Sequence, residues 1–138
     1  MVETRKISLQ TQGHCDTIDI TAQVQQQLTE LDMDNGMVTV FVSGSTAGIT
    51  TVELEPGLVS DLQRMWERII PQDISYDHDR RWGDGNGYSH VRASLLGASL
   101  VVPFGGKRLM LGTWQQIILI DFDNRPRSRQ IVLQFIGE

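Results

Sequence analysis

Residues 37–54 read MVTVFVSGSTAGITTVEL. Met37 to Val42 is dense in β-branched and aromatic residues, the types that suit a pleated strand. The small residues of Ser43 to Gly48 interrupt this run, and strand-like composition resumes from Ile49 to Leu54. Pro56-Gly57 ends that second strand and opens a helix. Leu58, Leu62, Met65, Trp66 and Ile69 then form one apolar face, with Pro71 just past the helix end.

Upstream, Val2 to Leu9 reads as a strand that ends at Gly13. Ile18 to Thr21 leads into a first helix, for which the Thr21 hydroxyl can cap a backbone N–H. Val24, Leu28 and Leu31 make its apolar stripe, and Asp34-Asn35-Gly36 stops it. Downstream, Gln72 to Gly87 is polar and aperiodic, and a loop of that length in a compact domain is functional or disordered. Tyr88 to Leu96 fits a short helix. Ser99 to Val102 and Leu109 to Leu111 flank Gly105-Gly106 as a hairpin. Trp114 to Phe122 and Ser128 to Ile136 are two further strands, joined by the turn DNRPR. The apolar run Ile117 to Ile120 implies burial on both faces, one of which can be a subunit interface. This order lacks regular βαβ alternation. It predicts a single α+β domain over residues 1–138, with a mixed or mainly antiparallel sheet and two main helices on one face.

A chain of 138 residues, 40% of them hydrophobic, is enough for one core. Charged residues make up 21% and both signs are interspersed, which argues against disorder. The net charge of -5 argues against a nucleic-acid partner. The apolar runs are far shorter than the roughly 20 residues of a membrane span, so no membrane partner is expected. The N-terminus is charged and polar, unlike a secretory signal. Cys15 is the only cysteine, which excludes an internal disulfide and points to a reducing, cytoplasmic setting. It reads as a small side chain near a turn, without the basic neighbours that favour a thiolate.

Three segments combine small and polar residues. In Gly44-Ser45-Thr46-Ala47-Gly48, backbone amides and two hydroxyls can cradle an anion. A bulge or tight turn that only links strands is the simpler reading. The stretch from Asp77 to His90 holds His78, His90 and several carboxylates including Asp84. Imidazoles suit zinc, but the spacing matches no zinc finger, and a solvated acidic loop with Ser89 as a cap explains it equally well. Gly112-Thr113-Trp114-Gln115-Gln116 offers a hydroxyl, an indole and an amide for a pocket wall. A core tryptophan with Gln115 exposed is the preferred alternative. Among the arginines, Arg92 stands two positions after His90 and has the fork geometry that suits phosphate. The RPRSR patch of residues 125–129 reads as surface charge.

STAGIT followed by Glu53, DGNGYSHVRASLLG (84–97), LGTWQQI (111–117) and the terminal IGE together resemble the YjbQ family, in order and spacing, over nearly the whole chain. The family is also described as secondary thiamine-phosphate synthase. The resemblance implies a homotrimer with sites near subunit boundaries. It also implies a weak transferase activity that joins a pyrimidine diphosphate to a thiazole phosphate and releases pyrophosphate. His78, His90 and Glu53 match family positions. Where this chain has Gly44, members commonly have histidine, and close relatives often have histidine at 83 and 88 as well. Three-histidine zinc ligation is therefore not expected here.

The candidate site has His90, Asp84 and Glu53 as catalytic residues. Thr46, Arg92, Asn86, Thr113, Trp114 and Gln115 would bind a small phosphorylated or anionic ligand. His78 and His90 would hold a divalent metal, zinc or magnesium. A non-catalytic trimeric protein that binds such a ligand at a degenerate metal site is the alternative. A structural trimer with a relic site is a third reading, and it requires His78, His90 and Asp84 to lie apart.

Overall fold

The computed structural model describes residues 1–138. The elements in chain order are β1 (Val2–Thr11), β2 (Asp16–Asp19), α1 (Thr21–Thr29), β3 (Gly36–Ser43), β4 (Ala47–Val52), α2 (Pro56–Ile69), α3 (Asp77–Trp82), α4 (Gly87–Leu96), β5 (Ser99–Gly105), β6 (Arg108–Leu109), β7 (Gln116–Asp121) and β8 (Arg127–Gly137). They form not one sheet but two, in the orders β1-β8-β3-β5-β6 and β2-β7-β4. Every strand pair in both is antiparallel.

The period-2 alternation of strand side chains explains the layering. Val38, Val40 and Val42 of β3 and Ile131, Leu133 and Phe135 of β8 point to one face and are fully buried. Ile117 and Leu119 of β7 and Ile49 of β4 meet them from the smaller sheet, with Val24 and Leu28 of α1 in the same core. Ile118 and Ile120 point the other way. They pack with Trp66, Ile70, Tyr88 and Phe122 in a second core beneath α2 and α4. The Ile117–Ile120 run is therefore buried on both faces within one chain, and neither face is a subunit interface.

Several local expectations are corrected. Asp16–Asp19 is a strand, and Thr21 is the first residue of α1 rather than its cap. The Thr21 hydroxyl instead accepts from the Ile117 amide at 2.8 Å, so it ties the helix to β7. The N-cap of α2 is Glu55, whose carboxylate accepts from the Gly57 and Leu58 amides. In α2 only Trp66 is fully buried, joined by Ile70 at the C-cap, while Ile69 is exposed. The long polar stretch contains the short helix α3, closed by Gly83 in a left-handed conformation. Trp114 precedes β7 and is 72% exposed, so it is neither strand nor core.

Candidate functional site

Strand parity places charges at the ends of two facing strands. On β8, Arg129 continues the inward row of Ile131, Leu133 and Phe135. On β7, Asp121 continues the row of Ile117 and Leu119. The apolar core ends where these rows end, and there the two charges meet. Arg129 donates Nε to Asp121 Oδ2 at 2.6 Å and Nη2 to Oδ1 at 2.8 Å. Asp121 also accepts from the Thr11 hydroxyl and the Asp123 amide. Both Asp121 and Asp123 are inaccessible to solvent. A buried carboxylate persists as a charge only when paired and hydrogen-bonded in this way.

Thr46 connects the two carboxylates. Its hydroxyl accepts from Arg129 Nη2 at 2.6 Å and donates to Asp123 Oδ2 at 2.9 Å. Asp123 further accepts from Arg127 Nε at 2.8 Å, the Asn124 amide at 2.8 Å and Asn86 Nδ2 at 3.3 Å. Burial opposes ionisation of Asp123. The hydrogen bonds from Thr46, Asn124, Arg127 and Asn86 outweigh it and hold the carboxyl below its ordinary value.

In front of this network lies a cleft of about 470 Å³. It is lined by the 44–46 turn, His78, Trp82, Asp84, Asn86, His90, Arg127 and Arg129. The imidazoles of His78 and His90 come from α3 and α4, and their ring centroids are 4.3 Å apart. Burial, followed by the nearby His78, pushes the His90 pKa down, so His90 is neutral at neutral pH. The Asn86 Oδ1 acceptor and the His78 Nδ1 are buried without a hydrogen-bond partner. A Cβ at Gly44 would stand 2.7 Å from Arg129 Nη1, so a side chain there would have to displace that end of the guanidinium.

His78, His90, Asp84, Asn86 and Thr46 are thus brought together as expected. The relic-site reading, which required the histidines and Asp84 to lie apart, does not hold. Glu53, Thr113, Trp114 and Gln115 are elsewhere in the chain. Thr46 and Glu53 flank the extended β4, which separates them by about 20 Å. Gln115 bonds to the Thr51 hydroxyl at that far end. Arg92 is buried on the opposite side of α4, and its guanidinium bonds to the Ile70 carbonyl and Glu67. Ser89 caps nothing; its hydroxyl donates to the Phe122 carbonyl. Tyr88 faces away from the cleft, so residue 88 cannot ligate beside His90, two positions further along α4.

The sequence reading missed Arg127, Arg129, Asp121 and Asp123. For Arg129 and Asp121 the signal was present, since each is a charge on the apolar parity of a strand. A three-histidine metal centre does not fit this donor set. No three His, Cys, Asp or Glu side chains cluster closely enough to hold a metal ion. Two guanidinium groups line the same cleft and repel a cation.

The chain is similar to known proteins over nearly its whole length. Residues 5–138 match the family model described as UPF0047 protein YjbQ-like. A UPF0047 protein of Methanothermobacter thermautotrophicus is 39% identical over 137 residues, covering 99% of this chain and 94% of the relative. One from Archaeoglobus fulgidus is 36% identical over 129 residues, covering 94% and 98%. The crystal structure of a YbjQ-like protein from Sulfolobus solfataricus superposes with a TM-score of 0.94 at 33% identity, covering 100% of this chain and 99% of that one. No helix of this chain is long and apolar enough to cross a membrane. With the match spanning both sheets and every residue of the cleft, the chain belongs to the UPF0047, YjbQ-like family.

Proposed function

We propose that the cleft binds a small phosphorylated molecule and supports transfer chemistry in which a diphosphate leaves. The observation that carries this reading is the pair of guanidinium groups facing the imidazole pair. Arg127 spends only its Nε on Asp123, and Arg129 leaves Nη1 unspent at the Gly44 edge of the cleft. Asp121 and Asp123 hold both groups from behind, so their free N–H edges are fixed before a ligand arrives. Guanidinium edges of this kind match phosphate oxygens. Negative charge that builds on a departing diphosphate is stabilised most by donors that need no reorganisation. Two imidazoles, His90 held neutral, add proton transfer at the same place. The thiamine-phosphate synthase reaction implied by the family resemblance has these requirements, and no step in this reading runs through a metal.

Isothermal titration with inorganic pyrophosphate tests the binding. Wild type is expected to bind, and Arg127→Ala to weaken binding by about 10-fold or more, the worth of a hydrogen bond to a charged group. His90→Ala is expected to bind but to form no thiamine phosphate from the two precursors. Equal product with and without protein would end the transferase reading and leave a binding protein. Absence of pyrophosphate binding would end both.

A second reading concerns assembly, and the far-end cluster favours it. Glu53, Thr113, Trp114 and Gln115 can serve the cleft only from a neighbouring copy. The outer face of the larger sheet also exposes Met37, Phe41, Val101 and Ile136, a patch of the kind that marks protein contacts. We infer a homotrimer. Native mass spectrometry should then show three times the 15.5 kDa chain mass, and a persistent single-chain mass would exclude it.

A further inference from the structure

His90, Ser94 and Gly97 follow one another at spacings of four and three, so they share one face of α4 and its C-cap. His90 lines the histidine cleft, and the row beyond it lines a second cavity of about 410 Å³. Gly44, Ser45 and His90 border both spaces, so the two cavities adjoin. Backbone bonds fix the far wall. The Ala98 carbonyl accepts from the Val42 amide at 2.9 Å, and the Gly97 carbonyl from the Ile49 amide at 3.0 Å. They tie the end of α4 to β3 and β4.

The two linings differ in chemistry. The histidine cleft carries Asp84, Arg127 and Arg129. No aspartate, glutamate, lysine or arginine lines the second cavity. Ala47, Ala93 and Ala98 supply methyl groups, and Ser45, Ser94 and His90 are its polar side chains. The Ser94 hydroxyl already turns back to the Val91 carbonyl of its own helix at 3.5 Å. An ionic or polyhydroxylated group that entered here would lose water without partners to replace it. Small side chains by themselves make space and nothing more. The sign of a ligand is Arg129, whose side chain is 7% exposed and yet leaves Nη1 without a protein partner. Nη1 itself remains open to solvent. It stands against Gly44, the residue common to both cavities. A phosphate held on that edge sits at the mouth of the second cavity.

We propose that the ligand spans both cavities, with its phosphate on Arg127 and Arg129 and its organic part, a compact uncharged alkyl or aryl group, in the cavity of Ala93 and Ser94. This rests on the phosphate reading of the histidine cleft and adds the class of substrate to it. The guanidinium edges recognise the charge, and the second cavity takes apolar surface out of water. Its volume lies toward the lower end of the range for ligand pockets, so the group is about the size of a single ring. Nucleotides and sugar phosphates are poor fits, because their organic parts carry several hydroxyls. His90 borders both spaces, so the bond between phosphate and organic group lies beside its imidazole.

Isothermal titration of the full chain compares inorganic phosphate, phenyl phosphate and ribose 5-phosphate at a pH where all three are dianions. Phenyl phosphate should bind about 10-fold more tightly than inorganic phosphate, from the apolar surface that its ring buries. Ribose 5-phosphate should gain nothing. Ser94 is exposed on α4 and lies outside the histidine cleft, so Ser94→Leu should fold and fill the second cavity. It should bring phenyl phosphate down to the level of inorganic phosphate and leave inorganic pyrophosphate binding within about twofold. Ser94→Ala keeps the space and should bind like wild type. Pyrophosphate binding with no preference for phenyl phosphate would overturn this inference and leave the reading of the histidine cleft intact. A preference for ribose 5-phosphate over phenyl phosphate would overturn it too, as would a phenyl preference that persists in Ser94→Leu. If wild type binds none of these anions, both fall.

Discussion

Replacing Arg129 by methionine is expected to cost about 3–5 kcal/mol of stability, the penalty for stranding a buried charge. Asp121 is the group stranded. It is inaccessible to solvent and would keep only the Thr11 hydroxyl and the Asp123 amide. Thr46 would lose its donor from the guanidinium, and Asp123 a cation 3.8 Å away. For a domain of this size the loss amounts to a fall in melting temperature of about 10–20 °C. Pyrophosphate binding should disappear with it. The double variant Arg129→Met with Asp121→Leu should recover much of the stability and none of the binding, because it removes both charges rather than one. Differential scanning calorimetry reads the first effect and isothermal titration the second. A single variant that melts within a few degrees of wild type would mean that the Asp121 carboxylate is not held as a buried charge.

Phe122→Ala should destabilise the chain by a similar amount, about 3–5 kcal/mol, for a different reason. Phe122 is inaccessible, with its ring edge-on to Trp66 at a centroid separation of 4.8 Å. It fills the second core between the smaller sheet and helices α2 and α4. Truncation leaves a void that the rigid sheet cannot close. The backbone of residue 122 also positions the site. Its amide donates to the Thr46 carbonyl at 2.9 Å, and its carbonyl accepts from Ser89. These bonds survive truncation of the side chain. In chemical denaturation the variant should lose stability without a change in m, while pyrophosphate affinity in the folded state stays within about threefold, as expected for sites that do not share partners. A stability loss under about 1 kcal/mol would show that the second core repacks around the gap.

The contrast between these variants separates what could be read along the chain from what could not. Alternation in Val38-Val40-Val42 and Ile131-Leu133-Phe135 announced strands, and Val24-Leu28 announced a helix, because periodicity is a local property. The same alternation carried Arg129 onto the core face of β8 and Asp121 onto that of β7. A charge in an apolar register is legible as an anomaly once parity is followed to the strand end. Reading RPRSR as surface charge overlooked that parity. His78 and His90 were legible by residue type, and the α3–α4 packing confirmed their proximity.

Other features had no local signature. That Arg92 leaves the cleft and that Tyr88 joins it beside Cys15 depends on the rotational setting of α4 against α2. Packing of Trp66, Ile70 and Phe122 sets that angle. The contact between Cys15 and Arg92 links residues 77 positions apart. Nothing near Cys15 in the chain could reveal a cation beside it. Likewise, Glu53 and Thr113 to Gln115 carry family-like motifs but stand at the wrong end of β4 and β7 to reach the cleft within one chain. Sequence by itself therefore determined most of the elements, the family and the histidine part of the site, since these follow from local pattern and side-chain chemistry. Tertiary structure alone decided which charges are buried together and which of the polar motifs share a cavity, because burial and pairing are set by long-range strand register and helix packing.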